Sequence, residues 1–391
     1  MSDLQFLMPE SLRGKGSIYN TMSKLATQHG ASDLAQGFPT IEGPREVREH
    51  AAKALLDGPQ QYTDPRGLPS LRSALRDDAK TRYGVDLDLD SQVTITAGGQ
   101  EALSCAMLGL LEVGDEVVFI EPFYNPVVPV AKLTGATLKF VALKPPQFAL
   151  REEDLLAQMS ERTKLIVYNS PNNPSGHVFS RDELMILARA CEKFDAYLIA
   201  DEVYEHLVYP GSMHISALQI PELAERAVVI SSFSKTYLMT GWRVGWALGA
   251  APLVAGIRKA KEVTSFCIPA FVSEGARYAL EELPSSYLED FAIQHLNKRD
   301  LLCNGLSDLG LSVLVPEGTF FCSMDISNLV DEDDLAFCLR LAKDVGVAAV
   351  PMSLSWHERR EARHLIRLCF AKDDQTLQQA IDAFGAWLDR R

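Results

Sequence analysis

Between residues 92 and 249 the chain alternates short apolar, β-rich runs with helical patterns. The β-rich runs cover 92–96, 116–120, 137–143, 165–168, 196–200, 227–231 and 243–249. Apolar residues at i, i+3 and i+4 spacing separate most of them, as in 100–112 and 181–194. Because strands that alternate with helices favour a layered α/β fold, we predict a mostly parallel sheet of seven strands, covered by helices on both faces.

Polar and glycine-containing segments follow these runs at the points where the strands should end. The segments are AGGQ at 97–100, EPFYN at 121–125, NSPNNPSG at 169–176, DEVY at 201–204 and SSFSK at 231–235. In sheets of this class, ligands bind at the carboxyl ends of the strands. The sequence therefore predicts one binding site at that edge of the sheet.

The pattern changes near residue 285, and two domains are expected for 391 residues. The elements predicted beyond that point are a helix at 286–310, a strand-like stretch at 312–325 that is broken by PEG, β runs at 347–350 and 364–370, and a helix at 374–390. They indicate a smaller α+β domain. We divide the chain into an N-terminal arm (1–40) that packs with the small domain, a large domain (41–285) and the small domain (286–391).

Charge and cysteine usage exclude several classes of function. The formal net charge of −14 disfavours nucleic-acid binding, because an acidic surface repels phosphates. No stretch approaches the length of an apolar membrane span. The seven cysteines lie mostly in apolar runs and form no CxxC pair, so we expect buried free thiols, a reducing cytoplasm and no metal site.

Lys235 is the first candidate for chemistry, because it stands directly after a buried strand. Burial lowers the pKa of a lysine, since desolvation disfavours the charged form, and a lysine of lowered pKa is what Schiff-base chemistry requires. Arg243, in the strand-like run GWRVGW, is costly to bury unless it is paired. A phosphate would satisfy its guanidinium, and Ser232 and Ser234 add hydroxyl donors.

A second set of residues fits a phosphorylated aromatic cofactor. Gly98 and Gly99 open a helix whose free N–H groups suit an anion, although a tight turn explains them equally well. Asp201 ends an apolar run and needs a cation, for which a protonated pyridine nitrogen would serve. Tyr204 could donate a hydrogen bond to a phenolate oxygen of the ring.

Three further side chains have simpler alternatives. Asn173 could donate to the same ring oxygen, or belong to a plain turn. Tyr124 could stack on a flat ring, or be an ordinary packing aromatic. Arg367, amid apolar residues in HLIRLCFA, could bind a substrate carboxylate, or form an internal salt bridge.

Taken in order, several motifs resemble those of the class I/II aminotransferases of fold type I, which depend on pyridoxal 5'-phosphate. The motifs are SPNNPSG at 170–176, ADEVY at 200–204, SFSKTYLMTGWRVG at 232–245, PEGTFF at 316–321 and HLIRLCFA at 364–371. The resemblance extends from LAQGFP at 34–39 to the C-terminal helix. It implies that the large domain, 41–285, binds pyridoxal phosphate.

The resemblance also implies a role for each candidate residue. The catalytic residues would be Lys235 as the Schiff-base lysine and proton shuttle, Asp201 as the partner of the ring nitrogen, and Tyr204 as a donor to the ring oxygen together with Asn173. The other cofactor-binding residues would be Tyr124 on the ring and Gly98, Gly99, Gln100, Ser232, Ser234 and Arg243 around the phosphate. Tyr62, in QQYTDPRG, would reach the phosphate of the partner subunit, which implies a homodimer with shared active sites. The substrate carboxylate would be bound by Gly37, Asn173 and Arg367.

The implied reaction is a ping-pong transfer of an amino group between an L-amino acid and a 2-oxo acid. Gln100 stands where aspartate-preferring relatives often have lysine, which argues against a dedicated aspartate enzyme. The stretch 25–39 and EPFYN look more like the methionine, glutamine and kynurenine type, so we expect a neutral, hydrophobic or aromatic amino acid such as methionine, glutamine, phenylalanine or kynurenine. Ile18, Tyr19 and Phe321 are the predicted side-chain pocket, with simple packing as the alternative.

Other functions remain open at this point. An aspartate aminotransferase would use the same constellation, and so would a pyridoxal-phosphate C–S β-lyase or an acyl-transfer synthase. A β-lyase would release ammonia and pyruvate without an oxo-acid acceptor. A non-enzymatic ligand sensor is disfavoured because the chain is acidic and has no basic helix-turn-helix extension, and a purely structural phosphate-binding protein would not explain three buried-looking charges, Asp201, Lys235 and Arg367.

Overall fold

A computed structural model describes residues 17–391, so that residues 1–16 of the predicted arm lie outside the described part. The strands are β1 (Ser32–Asp33), β2 (Val93–Thr96), β3 (Glu116–Glu121), β4 (Thr137–Ala142), β5 (Thr163–Asn169), β6 (Tyr197–Asp201), β7 (Ala227–Ser232), β8 (Gly245–Gly249), β9 (Ser312–Leu314), β10 (Phe321–Asp325), β11 (Val347–Ala348), β12 (Val350–Pro351) and β13 (Leu365–Cys369). The α-helices are α1 (Ile18–His29), α2 (Arg45–Asp57), α3 (Pro69–Tyr83), α4 (Gly99–Leu110), α5 (Val127–Leu133), α6 (Glu152–Leu156), α7 (Arg181–Phe194), α8 (Phe233–Thr236), α9 (Ala251–Thr264), α10 (Ala270–Glu282), α11 (Tyr287–Asp308), α12 (Asp334–Asp344) and α13 (Asp374–Leu388).

The seven β-rich runs all become strands of one sheet, in the order β2-β8-β7-β6-β5-β3-β4. Strands β4, β3, β5, β6 and β7 pair in parallel, and β8 is antiparallel to both of its neighbours. Helices α4 and α9 pack over one face, and α7 over the other. The prediction of a mostly parallel, covered sheet is confirmed, because every residue of β3, β7 and β8 is buried.

Helix boundaries follow local signals in the sequence. Helix α7 begins with a capping box in which Ser180 and Glu183 each bind the other's backbone N–H. Helices α1 and α3 end at Gly30 and Gly84, which adopt the left-handed conformation that favours glycine.

The C-terminal region forms a four-stranded antiparallel sheet in the order β12-β13-β10-β9. Helices α1, α11, α12 and α13 share one apolar core with it. The run at 347–350 was expected to be a single strand, and this is wrong. Its first half, β11, pairs in parallel with β1, whereas its second half, β12, pairs with β13. The domain limits near residues 40 and 285 stay a prediction.

Other features concern the described residues as a whole. No helix within 17–391 has both the length and the apolar character needed to cross a membrane. The same part of the chain contains no group of three or more His, Cys, Asp or Glu side chains arranged to hold a metal ion. All seven cysteines are free, and Cys267 alone among them is not fully buried.

Candidate active site

A cavity of about 290 Å³ lies where β5, β6 and β7 end and where α4 begins. The predicted site residues that line it are Tyr19, Gly37, Gly99, Gln100, Tyr124, Asn173, Asp201, Tyr204, Ser232, Ser234, Lys235, Arg243, Phe321 and Arg367. They come from segments spread over almost the entire described chain. The folded structure thus brings together most of the residues that were chosen on sequence grounds, although their roles remain predictions.

Lys235 lies on the short helix α8, directly after the buried strand β7. Its Nζ donates to the carbonyl oxygen of Gly37 at 3.2 Å and lies 5.6 Å from the ring centroid of Tyr204 and 5.5 Å from that of Phe320. Burial lowers the pKa of Lys235 to about 8, because desolvation disfavours the ammonium. The neutral, nucleophilic form of the amine is therefore far more populated near neutral pH than in an ordinary lysine, although the ammonium still predominates.

Asp201 is the last residue of β6, and its side chain opens on the same cavity. It is 5% exposed, and the only hydrogen bond to its carboxylate in the described part of the chain comes from the Val203 N–H at 3.4 Å. Burial raises the pKa of Asp201 to about 7, and the attraction of Lys235 offsets this only in part. A carboxylate in this state fits a cationic ring nitrogen, which would supply the missing partner.

Tyr204 and Asn173 present polar groups to the cavity from two different loops. The Tyr204 ring packs edge-on against Phe321, and burial raises the pKa of its hydroxyl well above the ordinary range, so that it remains a donor. The Asn173 N–H donates to Asn169 Oδ1 at 2.7 Å, and its Oδ1 accepts from Arg367 at 2.9 Å. Because that oxygen is occupied, the amide nitrogen of Asn173 remains available to a ligand.

Arg367 projects from β13 and is 2% exposed. It donates through Nη2 to the Ala35 carbonyl at 2.7 Å and through Nη1 to Asn173, while its buried Nε has no partner. Its guanidinium lies 4.0 Å from the Phe321 ring centroid and 5.2 Å from that of Tyr19. None of the ion pairs formed within residues 17–391 involves it, so the alternative of an internal salt bridge is not realised there. A buried guanidinium without an anion fits a carboxylate ligand.

Two glycines are required by close approaches at this site. A Cβ on Gly37 would lie 2.8 Å from Cζ of Phe321, so no larger residue fits beside the arginine. Gly98 has a φ of +82°, and a Cβ there would lie 2.4 Å from Nη2 of Arg243. Gly98 does not line the cavity itself, but because it has no side chain, Arg243 can approach the start of α4.

The first turn of α4 and the turn after β7 form a cradle of donors. The N–H groups of Gly99 and Gln100 lie in the first turn of α4, where they have no partner within the helix. Ser232 caps α8 by accepting from the Ser234 N–H at 3.3 Å. Two hydroxyls, free helix N–H groups and a nearby guanidinium fit a phosphate monoester.

Arg243 differs from its expected placement. It was predicted in a buried strand, but β8 begins at Gly245, and Arg243 is exposed in the left-handed region with φ 55° and ψ 53°. The reason is the short turn Thr240–Trp242, which ends at this residue before the strand starts. Arg243 Nη1 donates to the Thr240 carbonyl at 3.0 Å, and the side chain still lines the cavity.

Two other predicted residues lie outside the cavity. Ile18 packs against the apolar core of the C-terminal region, because neighbouring residues of a helix point about 100° apart and Tyr19 takes the cavity side. Tyr62 is 86% exposed and meets Phe266 edge-on, with ring centroids 5.5 Å apart. The role of Tyr62 at the phosphate site of a partner subunit remains a prediction.

Sequence reasoning missed six residues of the cavity wall: Gln36, Phe38, Leu103, Asn169, Val203 and Thr240. Most of them had a signal that could have been used. Phe38 directly follows Gly37, and Leu103 lies one helical turn after Gly99. Asn169 ends β5, and its Nδ2 donates to the Asp201 carbonyl at 2.8 Å, so it joins two neighbouring strand ends.

Comparison with known proteins identifies the class to which this arrangement belongs. The model of the family described as "Aminotransferase class I and II" matches residues 31–384. The chain therefore belongs to this family, and it is a pyridoxal-phosphate-dependent aminotransferase. The donors and charges described above are of the kinds that this cofactor needs, and the role of each residue stays a prediction.

Individual relatives agree on the reaction and differ in substrate. A methionine aminotransferase of Escherichia coli is 40% identical over 372 residues, which cover 94% of each chain. Human kynurenine–oxoglutarate transaminase 1 is 34% identical, over 93% of this chain and 94% of that one. The solved structure of N-succinyldiaminopimelate aminotransferase from Mycobacterium tuberculosis superimposes with a TM-score of 0.94 at 36% identity and covers 97% of this chain and 100% of that one. The predicted subgroup is confirmed, and the aspartate and β-lyase alternatives are not favoured.

Proposed function

We propose that this aminotransferase acts on neutral, hydrophobic or aromatic L-amino acids, such as methionine, glutamine, phenylalanine or kynurenine. The observation that carries the proposal is the number of cations that line the cavity and the group that each would bind. Within the described residues these are Lys235, Arg243 and Arg367. The cofactor carbonyl, the phosphate and the α-carboxylate require all three, so none is left for an acidic side chain. Aromatic walls at Tyr19 and Phe321 suit an apolar one instead.

Each residue of the site then has one task. When bound, pyridoxal phosphate supplies the carbonyl that accepts the amino group and the ring that withdraws electrons from Cα. Lys235 Nζ would hold the cofactor and, as a free amine, would take the proton from the Cα of the substrate. Its pKa of about 8 suits a base at neutral pH.

The remaining residues bind and orient. Asp201 would keep a proton on the ring nitrogen, Tyr204 and Asn173 would donate to the ring oxygen, and Tyr124 would stack on the ring. Arg367 holds the α-carboxylate through its guanidinium fork, next to the carbonyl of Gly37. The phosphate would be held by the N–H groups of Gly99 and Gln100, the hydroxyls of Ser232 and Ser234, and Arg243.

We also propose a cytoplasmic homodimer in which Tyr62 completes the phosphate site of the partner subunit. Its 86% exposure and the neighbouring exposed Phe266 and Val263 support an apolar contact there. A mixture of the inactive variants Tyr62→Ala and Lys235→Ala should regain activity, because one site of each hybrid dimer is intact. No regained activity after subunit exchange would contradict shared sites. Seven free cysteines support the location.

A half-reaction screen tests the proposed substrate class. The loaded enzyme is mixed with single amino acids, and the absorbance of the protein-bound cofactor is followed. We expect rapid loss with methionine, phenylalanine, glutamine or kynurenine, and slow loss with aspartate. Fastest conversion by aspartate would overturn the substrate class, and no conversion by any amino acid would contradict the reaction itself.

A further inference from the structure

Residues 34–40, here called the strap, cross the mouth of the cavity and are held by cations. Arg367 Nη2 donates to the Ala35 carbonyl at 2.7 Å, and Lys235 Nζ to the Gly37 carbonyl at 3.2 Å. Lys372 Nζ donates to the Phe38 carbonyl at 3.2 Å. Gly37 and Phe38 line the cavity, so the position of the strap affects what can enter.

Two of these three cations have other tasks in the proposed reaction. Arg367 must turn donors toward a substrate carboxylate, and Lys235 must bind the cofactor. Their bonds to the strap are therefore weakened or exchanged during turnover. Lys372 does not line the cavity and has no such task, so its bond to the strap persists.

The surroundings of Lys372 direct it toward a single residue. It is 3% exposed, and no carboxylate lies within 4.0 Å of its ammonium among residues 17–391. Its described contacts are the Phe38 carbonyl and the Phe38 ring, whose centroid lies 5.2 Å from Nζ. Lys298 Nζ donates to the Lys372 carbonyl at 2.6 Å and so fixes the backbone beneath it. A buried ammonium is expensive, so an apolar residue would be the simpler choice unless these contacts matter.

Phe38 is the element that Lys372 controls. Its side chain is 46% exposed and lines the cavity, so one face remains open to a substrate. The ends of the strap are held by backbone bonds, Cys369 N–H to the Leu34 carbonyl at 2.8 Å and Thr40 N–H to the Ala371 carbonyl at 3.3 Å. Asp33 Oδ1 also accepts from the N–H groups of Ala35 and Gln36 at 3.0 and 3.3 Å, whereas Gly37 and Phe38 are held through their carbonyls by the side-chain donors.

We propose that Lys372 is a positioning residue that holds Phe38 at the cavity mouth and thereby sets the preference for large apolar side chains. This inference rests on the proposed function and refines it. An ordered aromatic face at the mouth favours substrates whose side chains reach it. The side chain of alanine, used as a substrate, is too short to contact Phe38. The kinetics with alanine therefore measure the contribution of the rest of the site.

The test measures kcat and KM for phenylalanine, methionine and alanine in Lys372→Met, which keeps the apolar stem and removes the donor. Loss of one charge-assisted hydrogen bond should lower kcat/KM for phenylalanine and methionine about tenfold, mainly through KM. The value for alanine should change less than about twofold, and the cofactor Kd should stay the same. Lys372→Arg retains a donor and a cation over the ring, and should recover most of the preference.

Two controls separate positioning from general damage. Lys261→Met removes another buried lysine, which donates to the Pro65 carbonyl and lies outside the cavity, and it should leave the phenylalanine-to-alanine ratio unchanged. Phe38→Ala probes the same contact from the half-exposed side, and it keeps the test informative if Lys372→Met folds poorly. In the Phe38→Ala background, Lys372→Met should have almost no further effect on that ratio.

Three results would overturn the inference: equal losses for alanine and phenylalanine, a full effect of Lys372→Met without the Phe38 ring, or an unchanged ratio in Phe38→Ala. Each of these presupposes a wild-type enzyme that processes neutral amino acids. A wild-type enzyme that processes none would overturn the proposed substrate class, and the inference with it. The two failures are therefore distinguishable.

Discussion

Two buried carboxylates at and just after the end of β6, Asp201 and Glu205, differ in their partners. Asp201 opens on the active-site cavity with one weak backbone donor. Glu205, a few residues later, accepts from Arg82 at 2.8 Å, from the Ser231 hydroxyl at 2.6 Å and from the Tyr83 hydroxyl. Burial alone would raise the pKa of Glu205, but these partners hold it below its ordinary range. The same burial leaves the pKa of Asp201 at about 7.

The difference distinguishes charges that stabilise the fold from charges that await a ligand. Arg82 also pairs with Asp78 at 2.6 Å, so the network around Glu205 is complete without any added molecule. Asp201, Lys235 and Arg367 form no ion pair within residues 17–391. Unpaired buried charges reduce stability, so their presence in one cavity indicates function.

The largest expected effect is that of Lys235→Ala. We expect the transamination rate to fall about 10⁴-fold, because covalent binding of the cofactor and proton transfer both disappear. The variant should still bind the cofactor through the phosphate cradle, and its unfolding midpoint should not fall, since a buried unpaired amine is removed. Single-turnover absorbance and thermal unfolding measure both. Activity close to that of the wild type would refute the role of Lys235.

Arg367→Gln comes next. We expect kcat/KM to fall about a thousandfold, because the buried contact with the substrate carboxylate is lost. The Kd of the cofactor should change little. Arg367→Lys should recover only part of the activity, since an ammonium lacks the guanidinium fork. Steady-state kinetics and a cofactor titration check this. An equal loss of cofactor affinity would place the arginine at the cofactor instead.

Arg82→Met should produce the opposite pattern. Breaking the paired network leaves Glu205 buried without its cation and should lower the free energy of unfolding by about 3 kcal/mol. The kcat/KM of the folded enzyme should stay within about threefold of wild type, because Arg82 does not line the cavity. Urea unfolding and kinetics measure the two effects. Lost activity with unchanged stability would contradict the assignment of Arg82 and Glu205 to the charges that stabilise the fold.

Asp201→Asn has the smallest expected effect on stability, and that effect depends on pH. In the folded, cofactor-free protein the pKa of Asp201 is about 7, above its ordinary value of 3.8. The folded state therefore binds more protons between these values, and wild-type stability falls as the pH rises through that window. The cofactor-free variant should be more stable than wild type by about 2 kcal/mol at pH 8, with the gap narrowing toward pH 4. A variant that is less stable at pH 8 would show that Asp201 is paired after all.

Much of the fold could be predicted because its signals are local. Each strand of the large sheet is an apolar run, and both Asp201 and Lys235 stand at or just after the end of such a run. What depends on distant pairing was not visible in the sequence. The split between β11 and β12 requires β1 as a partner, and the exposed, left-handed Arg243 reflects a turn that looks like a strand in the sequence.

The cavity wall shows the same limit. Lys372 lies far from the strap in sequence and attracts attention only when the fold brings its ammonium to Phe38. Ile18 and Tyr19 were equally good candidates in the sequence, and the phase of α1 decides between them. Motifs identify which chemistry is present, whereas long-range packing decides which neighbours shape the substrate pocket.

Reductive trapping shows directly which lysine forms the Schiff base with the cofactor. The loaded enzyme is treated with borohydride, digested and examined by mass spectrometry. We expect a phosphopyridoxyl group on Lys235, and none on the two buried lysines outside the cavity, Lys261 and Lys372. A label on either of those lysines, or none on Lys235 in an active enzyme, would contradict it.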